Sequence, residues 1–320
     1  MKSVTCFHEA RSEILIFHEL LTNLLPLYVI IAIGFAAGRL FDIDRRAIAD
    51  LILFVLMPVT IFGFVVQTEL RPEYALLPFI FFGLLLFMSA SALFAGRRMW
   101  RDNTPNLFAL CSAMPNAGYF GLPLVALLFD VRWVGVYSLM LLGGVFFEAT
   151  FGYYIAARGN FDVRQSLGKL VRFPVIYAVI VAIIANLAGY EPQEQALKYW
   201  EYFRGGYIVT GMMIVGLALA KTEKLDFGGG RFFALVFTWK FLFWPLVALM
   251  LVLFDRIVSG IMQEEVHRLL LLLSILPSAA NITAFAAQLD LSPDKAATAV
   301  VGGTLFALAY IPAVFCIFGI

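Results

Sequence analysis

The stretch Ser112-Ala-Met-Pro-Asn-Ala-Gly-Tyr-Phe-Gly-Leu-Pro-Leu124 limits what this chain can fold into more than any other. It lies inside an apolar segment, roughly residues 106–129, long enough to cross a membrane. Yet it carries Pro115 and Pro123, Gly118 and Gly121, and Asn116. Proline removes a backbone donor and crowds the preceding turn, and glycine releases the backbone. The segment is therefore expected to break rather than run as one straight helix. In hydrocarbon a broken helix persists only where protein buries it or where it lines a wet cavity.

A second copy follows at Ser274-Ile-Leu-Pro-Ser-Ala-Ala-Asn-Ile-Thr283. Ser112 and Ser274 are 162 residues apart, and so are Pro115 and Pro277. Between the two copies the chain stays apolar. Of its 320 residues 62% are hydrophobic and 14% charged, more apolar surface than a soluble domain of this length can bury. Ten segments read as membrane spans, at roughly 23–40, 46–66, 74–95, 106–129, 134–157, 171–189, 202–220, 231–253, 268–289 and 295–318. The breaks fall in the fourth and ninth. Two halves of five spans follow, 23–157 and 171–320, with a lead-in at 1–22 and a linker at 158–170. Five is odd, so the second half must enter the membrane upside down. The expected fold is all-α and integral to the membrane: ten helices in two inverted five-helix repeats, with crossover helices four and nine broken. Such repeats place a binding site at the discontinuous helices near the midplane.

Short loops rich in Lys and Arg set orientation. Arg39, Arg45 and Arg46, then Arg97, Arg98 and Arg101, then Arg158, Arg164, Lys169 and Arg172, then Lys221, Lys224 and Arg231 fall on one face. That face reads as cytoplasmic, which puts both termini outside. Residues 1–22 read as a short amphipathic lead-in, because Lys2, Glu9, Arg11, Glu13 and Glu19 interrupt any signal-peptide core. Net charge is +1, so no nucleic-acid footprint is present. Cys6, Cys111 and Cys316 are far apart, and His8, His18 and His267 form no ligand pattern with them, so neither a disulfide framework nor a metal site is expected. No phosphate-binding loop occurs and no cofactor is called for. Without a Ser/His pair, a His-Glu-x-x-His run or paired aspartates at membrane depth, an intramembrane enzyme is disfavoured. A channel remains as a further alternative.

The candidate site residues follow from the breaks. Asn116 and Asn281 offer donors and an acceptor at membrane depth without the cost of a full charge. Each can either bind a polar substrate group or cap backbone freed by Pro115 or Pro277. Gly118, Gly121, Pro123, Ser278 and Thr283 complete the two crossovers. Restarted half-helices present N-termini that favour an anion such as a carboxylate, and Pro123 suits a first turn. The carbonyl ends of the preceding halves can instead hold a cation. Lys240, inside the eighth span, either compensates an anionic substrate or snorkels to the interface. Glu148, in the fifth, either couples transport to protons or makes a structural hydrogen bond. Pro58, Thr60, Thr210, Gly211 and Met212 can line a cavity, although small and kinked residues are routine at helix contacts. Trp100, Trp133, Trp200, Tyr190, Tyr199 and Tyr202 read as interfacial anchors.

Pro115-Asn116-Ala-Gly-Tyr-Phe-Gly121-Leu-Pro123-Leu124 resembles the Pro-Asn-x-x-x-x-Gly-x-Pro-Leu signature of the auxin efflux carrier family, which includes plant PIN-type carriers and bacterial malonate or malate permeases. Pro277-Ser-Ala-Ala-Asn281 with Phe285-Ala-Ala287 is similar to the second crossover of the bacterial members, and Lys240 before Pro245 looks like their eighth span. The resemblance covers nearly the whole chain. It implies a scaffold part and a transport part, a small organic anion as substrate, outward transport without a nucleotide, and a homodimer as a compatible assembly. Bile-acid sodium symporters share the fold, which keeps a sodium-coupled anion symporter as the alternative. Because the long loop of plant carriers between spans five and six is missing, the chain looks bacterial, with the inner membrane and its lipid bilayer as its setting.

Overall fold

Proline positions decide where many of the helices begin and where they loosen. The structure is a computed structural model that describes residues 25–157, 174–220, 230–288 and 291–318. The lead-in 1–22, the linker 158–170 with its basic residues, Cys6, His8, His18, Lys221 and Lys224 lie outside the described residues. The helical stretches are α1 (Leu25–Leu40), α2 (Ala47–Val66), α3 (Pro72–Met99), α4 (Thr104–Ala113), α5 (Ala117–Leu128), α6 (Val131–Ala156), α7 (Pro174–Leu187), α8 (Glu194–Ala220), α9 (Gly230–Ser259), α10 (Glu264–Ile275), α11 (Asn281–Gln288) and α12 (Pro293–Phe318). Proline stands in the first turn of α4 and at the start of α7 and α12, where its missing N–H has no helical partner to lose. By length and composition α2, α3, α6, α9 and α12 can cross a membrane, while α1, α5 and α7 are shorter apolar helices. No strand forms among the described residues; an isolated antiparallel bridge joins Pro115 and Ser278.

Prolines inside helices leave a second signature. A proline cannot donate to the carbonyl four residues earlier and crowds it. Three π-helical turns, Ile52–Leu56, Ala117–Gly121 and Trp239–Phe243, lie immediately upstream of Pro58, Pro123 and Pro245 and contain the affected carbonyls. Widening the turn relieves the crowding, and a distant hydroxyl can then reach in. Phe241 O, four residues before Pro245, accepts from Tyr310 OH at 2.6 Å. Leu308 O, four residues before Pro312, accepts from Tyr28 OH at 2.7 Å. In hydrocarbon such repairs replace the water that is missing.

Packing between helices uses close backbone approach. A side chain at Gly34 would collide with the backbone of Met213, and one at Gly216 with that of Ile31, so α1 and α8 touch main chain to main chain. Asn186 of α7 donates to Val65 O, Val66 O and Thr68 O at the end of α2, at 3.2, 3.0 and 2.7 Å. It satisfies carbonyls that a helix end leaves open.

Two expectations need correction. The helix that carries the seventh expected span, 202–220, extends further upstream, to Glu194. Its extra turns carry the pairs Glu194–Lys198 at 2.8 Å and Glu201–Arg204 at 2.9 Å, which support helix outside an apolar stretch. Trp133 and Trp200 are buried rather than interfacial, whereas Tyr190, Tyr199 and Tyr202 are exposed. Trp200 lies over Gly63, where any Cβ would strike its ring, and donates Nε1–H to Thr60 O at 3.2 Å.

Candidate functional site: the crossing of two broken helices

The two proline breaks meet each other. Asn116 N donates to Pro277 O at 2.7 Å, and Ala279 N donates to Met114 O at 2.9 Å. The pair forms a two-fold related clasp centred on the Pro115–Ser278 bridge. The local two-fold relates residues 163 apart, one more than the spacing of the sequence repeat, so Asn116 faces Pro277 and its two-fold equivalent is Ala279, not Ser278. The backbone at Pro115-Asn116-Ala117 folds tightly. Asn116 has φ −75° and ψ 62°, and Ala117 N donates to Pro115 O at 2.8 Å. That is an inverse γ-turn, a bend the sequence did not specify.

Break one frees carbonyls at the end of α4, and neighbours from other helices take them. Cys111 O accepts from Ser278 Oγ at 2.7 Å, and Ala113 O from Trp244 Nε1 at 3.0 Å. Past the bend, Ala117 O accepts from Tyr137 OH at 3.0 Å and Gly118 O from Tyr207 OH at 2.6 Å. Asn116 O accepts from Gly121 N at 2.9 Å. The Asn116 side chain makes no capping bond to the π turn that follows it, although the residue is only 4% exposed.

The second break is arranged differently. Asn281 opens α11, and its Nδ2 donates to Glu148 Oε1 at 2.7 Å. Glu148 begins the π turn Glu148–Gly152 of α6. Thr283 Oγ1 donates to Ala280 O at 2.7 Å, a local bond within the same turn. Ser278 is spent on Cys111 O and buried.

The other sequence-predicted residues divide by packing. A Cβ on Gly121 would collide with the Tyr137 hydroxyl and stand 2.6 Å from Leu276 Cδ1, whereas one on Gly118 would meet only Met57 Cε at 3.7 Å. Gly121 is therefore demanded by close approach and Gly118 is not. Pro123 occupies the first turn of the α-helical part of α5. Lys240 is fully buried, with Nζ 5.3 Å from the centre of the Trp244 ring and without a hydrogen-bond partner. It does not snorkel. Ser112 Oγ and Thr60 Oγ1 are likewise buried without partners, and Thr210 Oγ1 is spent on Gly206 O at 2.7 Å.

Tyr137, Tyr207 and the binding role of Trp244 were not singled out in the sequence. Each is a side chain far along the chain reaching a main-chain oxygen, and no local spacing announces it. Also missed was a clasp between α9 and α10. Asp255 and His267 are buried and meet at 2.9 Å, and Asp255 further accepts from Ile261 N at 3.2 Å and Met262 N at 3.1 Å. Arg256 and Glu264 pair beside it. An acid closing one apolar run and a histidine opening the next was the available signal. The clasp fixes the outer end of the half-helix that leads to Pro277. No group of three or more His, Cys, Asp or Glu among the described residues is arranged to hold a metal.

A search of curated proteins finds no match to this sequence. The sequence profile of a family described as membrane transport proteins does match, over residues 19–315. That range takes in both breaks, the clasp between them, Glu148 and Lys240. The chain therefore belongs to the membrane transport protein family of auxin efflux carriers.

Proposed function

We propose that this transporter carries a small organic carboxylate by alternating access, as a secondary or facilitative carrier in the efflux direction. In this reading ten spans form two inverted five-helix repeats in a bacterial inner membrane, with both termini non-cytoplasmic. The pairs α4–α5 and α10–α11 are its fourth and ninth spans and move together against the rest. The observation that carries the reading is the Asn116 amide. The backbone freed around Pro115 is repaired by Ser278, Trp244, Tyr137, Tyr207 and Ala279. A buried amide that is not used for repair, at a bend between two half-helices, is available to a ligand.

Charge favours an anion as that ligand. Lys240 Nζ is buried without an acceptor, and an anion beside a buried lysine would stabilise its charged form. The carbonyl oxygens at the end of α4 already accept from Ser278, Trp244 and Ala279. Fewer of them remain for a sodium ion, which weighs against the sodium-coupled alternative.

Ligands that bind only the native state raise its apparent melting temperature. Small carboxylates should therefore stabilise the purified protein, and Asn116→Ala should abolish that effect while the ligand-free melting temperature stays near the parent's. Equal stabilisation of Asn116→Ala and parent would mean that the crossover asparagine does not bind substrate.

A further inference from the structure

Glu148 and Asn281 are 133 residues apart in the chain, yet Asn281 Nδ2 lies 2.7 Å from Glu148 Oε1. That is a direct side-chain hydrogen bond between α6 and the start of α11. Asn281 is the first residue of α11, so the carboxyl of Glu148 is held by the side chain that opens a restarted helix, an end whose dipole favours negative charge. The acid is half-buried rather than sealed, and it stands at the start of a π turn, a local unwinding that functional sites often use. Elsewhere around the crossing, the fully buried Lys240 amino group has no hydrogen-bond partner. The protein's own carboxyl group thus already occupies the Asn281 amide that a bound carboxylate would take, with a buried lysine amino group in the interior left unpartnered.

Resting on the reading of the crossing as a carboxylate site, we propose that Glu148 is the site's stand-in ligand. It occupies the Asn281 amide while the site is empty and gives it up to the substrate's carboxylate. Ligands are then selected by displacement: an anion must outcompete a tethered carboxylate for Asn281 while reaching Asn116, and a neutral molecule of the same size fails. The displaced Glu148 carboxylate also repels the incoming one, which holds affinity down and lets the ligand leave again.

A merely structural tie makes a different forecast. Gln at position 148 keeps an oxygen that accepts from Asn281, so a tie survives Glu148→Gln and affinity stays constant. Under the stand-in assignment the same change removes a like charge from the site, and binding of a small carboxylate tightens about tenfold. The test uses the purified full chain and a fixed panel of acetate, succinate, malonate and benzoate, read by thermal shift and by calorimetric titration. Glu148→Ala serves as the second variant and should tighten binding too, whereas a tie would weaken it. In an Asn281→Ala background the gain from Glu148→Gln should vanish, because the two groups act as one unit.

Tighter binding by Glu148→Gln, including binding that the parent lacks, supports the assignment. Parent binding with an equal or weaker Glu148→Gln overturns it and leaves the carboxylate reading of the crossing intact. Failure of every acid to bind parent and both variants removes the carboxylate reading itself, and the stand-in with it.

Discussion

The two crossovers start from similar sequence and end with different chemistry. At the first, the backbone is stitched by hydroxyls and an indole from other helices, and the asparagine amide is left over. At the second, the serine is spent on the partner's backbone and the asparagine is tied to an acid. The clasp between them is symmetric in its main-chain bonds but not in what hangs from it. Two copies of one sequence pattern can therefore share one backbone device while one offers a free donor and the other a guarded one.

Changes at the glycines should break this arrangement most severely. Gly121→Val should prevent folding, since even a Cβ there strikes Tyr137 and Leu276. Gly121→Ala should cost about 1–3 kcal/mol of stability as an overpacked site. Gly118→Ala should be nearly neutral, and melting temperatures of the pair in detergent will tell them apart. The asparagines come next. Asn116→Ala should weaken carboxylate binding about 10–100-fold, the size of a hydrogen bond to a charged group, with little change in melting temperature. Asn281→Ala should lower both, because it also leaves Glu148 without its donor. Similar profiles for the two variants would erase the distinction between a free and a guarded donor.

Tyr207→Phe should lower stability by about 1–3 kcal/mol through an orphaned Gly118 O, while the affinity of the surviving protein holds. If affinity falls instead, the tyrosine belongs to the ligand site rather than to the repair. The smallest effect is expected at the far end of α4. Asp102 Oδ1 and Oδ2 accept from Thr104 N and Thr104 Oγ1, each at 3.0 Å. Partial burial alone would raise this carboxyl, but the bonds from Thr104 outweigh it and hold it below the ordinary carboxylate value. Its stabilising contribution is therefore complete above the unfolded-state value of about 4 and is lost as pH falls through the lower folded value. Melting curves at descending pH should show Asp102→Asn losing a small increment at neutral pH and converging on the parent in acid.

The breaks at Pro115 and Pro277 were legible because proline acts on its own neighbours, and the position of Pro123 in a first turn follows from the same local rule. Long apolar runs announced α2, α3, α6, α9 and α12 in the same way. What sequence could not supply is contact between distant parts. The Tyr137, Tyr207 and Trp244 bonds, the Glu148–Asn281 pair and the burial of Trp133 and Trp200 all depend on which helix lies beside which. The one-residue difference between the repeat and the clasp is likewise silent in the sequence, because main-chain pairing follows the direction in which N–H and C=O groups point rather than the identity of the side chains.

The π turn before Pro245 settles which way a charge faces. Val236, Lys240, Trp244, Ala248 and Val252 are all buried, at strict intervals of four. A uniform α-helix turns about 100° per residue, so a step of four drifts about 40° and the whole series would wind through about 160°, nearly to the opposite side. A π turn at Trp239–Phe243 takes in one extra residue and returns about 100° of that rotation. The fit of Lys240 to the interior is thus a matter of phase. Deleting a single residue between 241 and 243 would leave the composition of α9 almost untouched and yet swing the lysine out of line with Ala248 and Val252, toward lipid.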